Sequence, residues 1–239
     1  ADRVAELEAH QAALASTLAS VVHDLLPKYA RVYEATGTLV RQEPGYSAFV
    51  NLERDTFAVP NAAGKPKQPP APGGGATTIC SLLPLSVKAA PVLDECMQRV
   101  RKLADKSGDA SLGGIDWSLA PPKRTMRVVE KLCLDPAQQG VLLRDAGHDP
   151  DALDASGMLD TVRGMFLCAS MDHGRAVMRA LVEGCAKKEF TLVRSKNRFV
   201  EPSGGGWMDC LVNLKLAGSG VVCEVQIVHQ QLLTVRAEL

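Results

Sequence analysis

Residues 190–229 read FTLVRSKNRFVEPSGGGWMDCLVNLKLAGSGVVCEVQIVH, and the period of their side chains decides the fold class. Met208, Cys210, Val212, Leu214 and Leu216 alternate with Asp209, Leu211, Asn213 and Lys215, while Cys223, Val225 and Ile227 alternate with Glu224 and Gln226. That period of about two residues is the signature of strands. A third strand-like run, Phe190 to Lys196, ends in charge. If Gly218-Ser219-Gly220 closes a short hairpin, Leu216 lies opposite Val221, Asn213 opposite Glu224 and Leu211 opposite Gln226. One face of the hairpin is then apolar, and the other collects Asp209, Asn213, Lys215, Glu224 and Gln226. Such a face is either wetted by solvent, as in most antiparallel hairpins, or the polar floor beneath a ligand. The glycine-rich loop 204–206 leading into it, and its mixture of acid and amide groups, favour the floor.

Lys196-Asn197-Arg198-Phe199, Pro202, Gly206-Trp207 and Glu224-Val225-Gln226-Ile227 resemble the synthetase domain of the RelA/SpoT family, which reads Lys-Asp-Tyr-Ile, Pro, Gly-Tyr and Glu-Val-Gln-Ile in that order. The resemblance covers roughly residues 115–239. It implies a nucleotidyltransferase fold, an α/β mixed sheet flanked by helices, and magnesium-dependent transfer of pyrophosphate from ATP to the 3′-hydroxyl of a guanine nucleotide. It also implies that Asp160 holds magnesium, that Lys123 and Lys131 bind the ATP phosphates, and that Trp207 takes the place of the Tyr that stacks on the guanine. The departures are specific. Pro121 stands where the family has Arg, Arg127 where it has Ser, and Arg163 and Met165 where it has Gly and Arg. Asp209 and Leu211 replace its Ser and His, and Val228-His229 its Arg-Thr, so the branch is a divergent one.

The same residues can be weighed without the family. Phosphoryl and pyrophosphoryl transfer need carboxylates that hold magnesium against phosphate oxygens, and cations that neutralise developing charge. Asp160 and Glu224 meet if their strands are neighbours, as catalytic and metal-holding acids, with Glu224 also placed to act as base on an acceptor hydroxyl. Lys123, Lys131, Arg163, Lys196 and Arg198 supply cations, and Trp207, Asn213 and Gln226 complete a candidate nucleotide site. For each acid the competing reading is a salt-bridged residue at a strand end. The basic flank Lys123, Arg127 and Lys131 is likewise either a solvated helix face or a phosphate contact. The five histidines show no metal-ligand spacing. Gly204-Gly205-Gly206 lacks the strand, lysine and helix of a phosphate-binding loop.

At the N-terminus Val4, Leu7, Leu14, Leu18, Val21, Leu25, Tyr29 and Val32 recur at threes, fours and sevens, predicting a long amphipathic helix bent at Pro27. Its stripe packs either on its own domain or on a protein partner through residues 4–32. A short strand is expected over 47–52. Residues 61–78, NAAGKPKQPPAPGGGATT, bury too little to offset ordering entropy, so they read as a linker between a helical element (1–60) and the nucleotidyltransferase-like domain (79–239). Helices are expected over 91–106, 124–133 and 172–188, a strand over 159–168, and loop over 107–122. The sheet is expected to unite 162–169, 190–196, 207–216 and 221–229.

With 239 residues, 46% of them hydrophobic, the chain can build one sizeable core. Its formal net charge of zero supplies no field for general nucleic-acid binding. Seven cysteines, an odd count without a CxxC pair, fit buried thiols in a reducing, intracellular compartment, with cytoplasm and organelle interior both open. No apolar run approaches the ~18 residues of a membrane span. The chain starts at Ala1 rather than Met, which fits a processed or excised segment, and shows no signal-peptide pattern.

Overall fold

Strands β4 (Cys210–Leu216) and β5 (Val222–His229) form the expected hairpin. In the computed structural model Asn213 lies opposite Glu224, Leu211 opposite Gln226, and the Leu216 N–H donates to the Val221 carbonyl at 3.0 Å. The turn needs its glycines: Gly218 and Gly220 have φ of 79° and 68°, the left-handed region that side chains with a Cβ avoid. The structure describes residues 2–71, 73–75, 77–106, 114–134 and 153–238.

The other strands are β1 (Ile115–Leu119), β2 (Arg163–Cys168) and β3 (Phe190–Asn197). The sheet has five strands in the order β1-β2-β5-β4-β3; β2 and β5 are parallel and the other neighbours antiparallel. The four segments expected to share one sheet do so. β1 was expected as loop, and residues 107–113 of that stretch lie outside the described residues. Its sequence alternates nonetheless: Ile115 and Trp117 are buried and Asp116 and Ser118 exposed. Trp117 lies over Gly164 of β2 so closely that a Cβ there would meet its ring at 2.1 Å.

The helices are α1 (Asp2–Ser20), continued through a π-helical turn (Val21–Leu25) into α2 (Leu26–Gln42), then α3 (Gly45–Ala62), α4 (Ile79–Lys106), α5 (Thr125–Cys133), α6 (Met171–Ala186) and α7 (Gln230–Glu238). The expected strand over 47–52 is the first half of α3. Phe49, Glu53 and Phe57 recur every fourth residue on its buried side, and a carboxylate in the middle of that stripe hides the helical period. α4 starts well before Pro91 and runs through Pro84 and Pro91, burying Leu82, Ala89, Leu93, Met97 and Val100.

α3, α4 and α6 cover one face of the sheet. The core there joins Val40, Phe49 and Phe57 to Leu93, Met97, Phe166, Val177, Leu181, Val212, Leu214, Val225 and Ile227, so residues from Tyr33 onward belong to the same core as the sheet. Each phenylalanine buried there is worth roughly 2–3 kcal/mol. By contrast, every described side chain from Arg3 to Lys28 is exposed. A smaller cluster, Ile79, Leu82, Val128, Leu132, Leu153, Ala155 and Met158, fixes α5 and the segment before β2 to the start of α4. The Pro/Gly-rich stretch 61–78, expected as linker, is held at several of its described residues: Asn61 bonds to Ser195, Gln68 is buried against β5, and the Ala155 N–H donates to the Thr77 carbonyl.

Candidate functional site

The face of the sheet away from α3, α4 and α6 carries the acids. Parallel pairing sets Arg163 of β2 beside Glu224 of β5, and the Glu224 N–H donates to the Val162 carbonyl at 3.0 Å. Asp160, two residues before Val162, therefore enters the sheet next to Glu224. A cleft of about 200 Å³ opens there, bounded by Asp160 and Glu224, by Lys131 of α5, by Arg194, Lys196 and Arg198 on and after β3, and by Leu211 and Asn213 of β4.

α5 is seated by Val128 and Leu132, which enter the smaller cluster. That seating turns Lys131 to Asp160: Lys131 Nζ donates to Oδ2 at 2.9 Å, and Lys123 Nζ, just before the helix, donates to the same oxygen at 2.5 Å. Burial pushes the Asp160 carboxyl up, but the hydrogen bonds and charges of the two lysines outweigh it and leave it below the usual carboxylate range. Glu224 is the opposite case. Burial, then the charge of Asp160, raises it, against the hydrogen bond from Gln226 and the charges of Lys131 and Arg163. Gln226 Nε2 donates to Glu224 Oε1 at 3.0 Å, and among the described residues Glu224 makes no ion pair. The competing reading of Glu224 as a salt-bridged residue, for which Lys215 and Arg163 are candidate partners in the sequence, is therefore not met among the described residues.

The cations of β3 reach the cleft through an irregularity. Leu192 lies opposite Leu214, yet Arg194 lies opposite Asn213, so Val193 is an extra residue, a β-bulge. Residues two apart in a regular strand share a face. The bulge instead leaves Leu192 on the core side and turns Arg194 and Lys196 to the cleft. Ser195 and Asn197 then face the helices, where both hydrogen-bond to Glu53 of α3. Sequence reading missed Arg194; its spacing of two from Lys196 was the available signal. Arg198 also lines the cleft, but its Nη1 contacts both oxygens of Asp209 at 3.0 and 3.3 Å. Asp209, expected on the polar floor, is fully buried in that pair.

Asn213 is buried on the floor and donates to the Cys223 carbonyl at 3.4 Å. Trp207 is not brought to the cleft. Its ring meets Tyr33 edge-on at 5.8 Å between centroids, with the Arg236 guanidinium 5.1 Å from its centre. The structure thus brings together Asp160, Glu224, Lys123, Lys131, Arg163, Lys196, Arg198, Asn213 and Gln226, adds Arg194, and leaves Trp207 apart.

The fit of the acid pair to magnesium can be tested on Asp160. Its Oδ1 is buried and makes no hydrogen bond among the described residues, although Oδ2 holds two lysines. An orphaned carboxylate oxygen beside a second, unpaired carboxylate fits a hard divalent cation that keeps one or two protein carboxylates and takes its other ligands from water and phosphate. Among the described residues no cluster of three or more metal-ligating side chains exists, so Asp160 and Glu224 are the two acids that these residues offer such a site.

No protein-family model matches the chain, and no curated protein is significantly similar to it. Among the solved structures it resembles are small alarmone synthetases and a GTP pyrophosphokinase family protein. Small alarmone synthetase 1 from Bacillus subtilis, bound to its product pppGpp, has 19% sequence identity and a TM-score of 0.46 over 64% of this chain and 76% of that one. A GTP pyrophosphokinase family protein from Streptococcus pneumoniae has 14% identity and a TM-score of 0.44 over 66% and 73% of the two chains. Small alarmone synthetase 2 from Bacillus subtilis has 13% identity and a TM-score of 0.44 over 65% and 76%.

Proposed function

We propose that this chain binds a nucleoside triphosphate in the Asp160–Glu224 cleft and transfers pyrophosphate from ATP to the hydroxyl of a second nucleotide, a guanine nucleotide being the acceptor the sequence resemblance implies. The observation that carries the proposal is Glu224: a partly buried carboxylate with no ion pair among the described residues, facing a second acid across a cleft rimmed by positive side chains. Purely structural acids at such a place are expected to close onto a cation.

In this reading Lys131, Arg194 and Lys196 hold phosphate oxygens. Arg198 is part-neutralised by Asp209 and positions more than it attracts. The acceptor oxygen bonds to the β-phosphorus of ATP, the bond from that phosphorus to the bridging oxygen of the α-phosphate breaks, and AMP leaves. Glu224 accepts the proton lost by the hydroxyl as the general base. Asp160 and Glu224 would hold magnesium, which when bound neutralises charge on the phosphate oxygens. With Trp207 engaged by Tyr33 and Arg236, the acceptor base is left to groups other than its ring.

The test is thermal. ATP with magnesium at a hundredfold its dissociation constant should stabilise the fold by about 2.7 kcal/mol. No change in melting temperature with millimolar ATP, GTP or GDP would sink the proposal.

A second reading, an inactive fold serving as a subunit of an assembly, is favoured by a different observation. Leu14, Leu18, Val22, Leu25 and Leu26 are all exposed, Leu14 and Leu18 by 59% and 64%, along α1 and the turn into α2. A stripe of that kind suits a partner helix. Retention of assembly with complete absence of nucleotide binding would favour this reading.

A further inference from the structure

From a segment whose composition reads as linker, we infer that Gln68 is a positioning residue that sets the placement of the two acid-bearing segments relative to each other. The inference rests on the reading of the Asp160–Glu224 cleft given above. Gln68 is 4% exposed. In a strand, N–H groups two residues apart point the same way. The Glu224 N–H is directed at the Val162 carbonyl, so the Val222 N–H points to the β2 side as well, at a level where β2 has not begun. The Gln68 amide occupies that place. Its Oε1 accepts from the Val222 N–H at 2.9 Å and its Nε2 donates to the Val222 carbonyl at 2.8 Å, as a peptide group of a neighbouring strand would.

The same Nε2 donates to the Met158 carbonyl at 2.7 Å, and the Gln68 backbone N–H donates to the Ser156 carbonyl at 2.8 Å. Met158 is two residues before Asp160 and Val222 two before Glu224. One side chain therefore ties both lead-ins at the same offset from their acids. The segment that presents Gln68 is itself held: Thr77 Oγ1 donates to the Pro69 carbonyl, and the Ala155 N–H to the Thr77 carbonyl, both at 2.8 Å. No other side chain among the described residues bonds to both lead-ins. Groups bonded directly to metal ligands typically contribute about 10–100-fold to metal affinity; Gln68 acts on the backbone two residues before each acid, one step further out, which sets the lower end of that range as its expected effect.

The experiment compares wild type, Gln68→Ala, Glu224→Gln and a core truncation on α7, Leu232→Ala, by backbone hydrogen exchange and by Mn2+ binding in the presence of ATP, read from the free-Mn2+ paramagnetic signal. Gln68→Ala should exchange faster over 156–160 and 222–224 while the rest of the sheet keeps its protection, and should bind Mn2+ about tenfold more weakly. Leu232→Ala should lower the melting temperature and leave the Mn2+ affinity unchanged. Wild-type protection of both segments in Gln68→Ala, or faster exchange there with wild-type Mn2+ affinity, overturns the inference. If wild type binds no Mn2+, or Glu224→Gln binds it equally well, the metal–nucleotide reading falls, and the exchange data still decide whether Gln68 places the two segments. Should Gln68→Ala not fold, Gln68→Asn, whose amide is one methylene short of both carbonyls, is read in the same way.

Discussion

Glu224 and Asp160 respond to pH with opposite signs. Glu224 is raised by burial and by the charge of Asp160. An acid raised in the folded state adds stability below its unfolded value and loses that contribution as pH rises through its folded value. Glu224→Gln is neutral at every pH, so it is expected to melt above wild type at pH 7 and to lose the advantage near pH 4, about the ordinary value of a glutamate. The same substitution should lower pyrophosphate transfer about 10²–10⁴-fold, the usual effect of losing a general base. Calorimetric melts at the two pH values check the first expectation, and a melting point at pH 7 below wild type would count against an unpaired Glu224. Asp160 is lowered despite burial, because Lys123 and Lys131 bond it. Its contribution is present above its unfolded value and lost as pH falls through its folded one, so it adds to acid sensitivity.

At the level of elements, α5 and β3 bring the charges to the acids by different devices. α5 does so by packing, through Val128 and Leu132, and its two lysine contacts are not equivalent: Lys123 is 13% exposed and Lys131 53%. Lys123→Ala should cost about 3 kcal/mol, since it strips a largely buried acid of its closer partner. Lys131→Ala should cost less than about 1 kcal/mol after solvent screening. Both should weaken ATP binding, and urea unfolding beside ATP titration separates the two effects. Equal losses of stability would contradict the exposures. β3 works by geometry. Its basic residues were legible in the sequence, but the face they occupy was not. By strict alternation Leu192 and Arg194 share a side, and only the unpaired Val193 separates them. Deleting Val193 removes the extra residue without changing the partners of Leu192 and Arg194, so Arg194 and Lys196 should still face the cleft, and nucleotide-induced stabilisation should survive. Its disappearance in a folded deletion variant would show that the bend of the bulge matters as well as its count.

Across the whole molecule the core begins at α2. No described side chain of α1 is buried, whereas Tyr33, Val40, Phe49 and Phe57 lie in the core of the sheet. Removing residues 1–20 should therefore leave the melting temperature within a few degrees of the full chain while abolishing any association that depends on the Leu14 and Leu18 stripe. Sedimentation equilibrium and melting curves of the two forms check this, and a large loss of stability would mean that α1 packs on the domain. None of the seven cysteines is in a disulfide; Cys168, Cys210 and Cys223 are buried, and burial raises each thiol, Cys223 to about 12, so they are inert core residues. Among the described residues no helix is long and apolar enough to cross a membrane.

What the sequence by itself determined was whatever depends on local period. The β4–β5 hairpin and its register follow from alternation and from glycines that alone tolerate the turn, and with them the facing of Asn213 and Glu224. α6 and α5 follow from helical spacing, and the candidacy of Asp160, Lys123 and Lys131 from a family-like order of motifs. What only tertiary structure decided was whatever depends on contacts between distant segments. α3 is a helix although a buried Glu53 breaks its apolar stripe, because Ser195 and Asn197 across the sheet satisfy that carboxylate. Trp207 goes to Tyr33 and Arg236, because α2 and α7 meet beside it. Gln68 is structured in a composition that cannot build a core, because a strand edge offers its amide a peptide's place. Glu224 makes no ion pair among the described residues, and Lys131, whose charge reaches it, bonds to Asp160 instead, a competition that no spacing along the chain records.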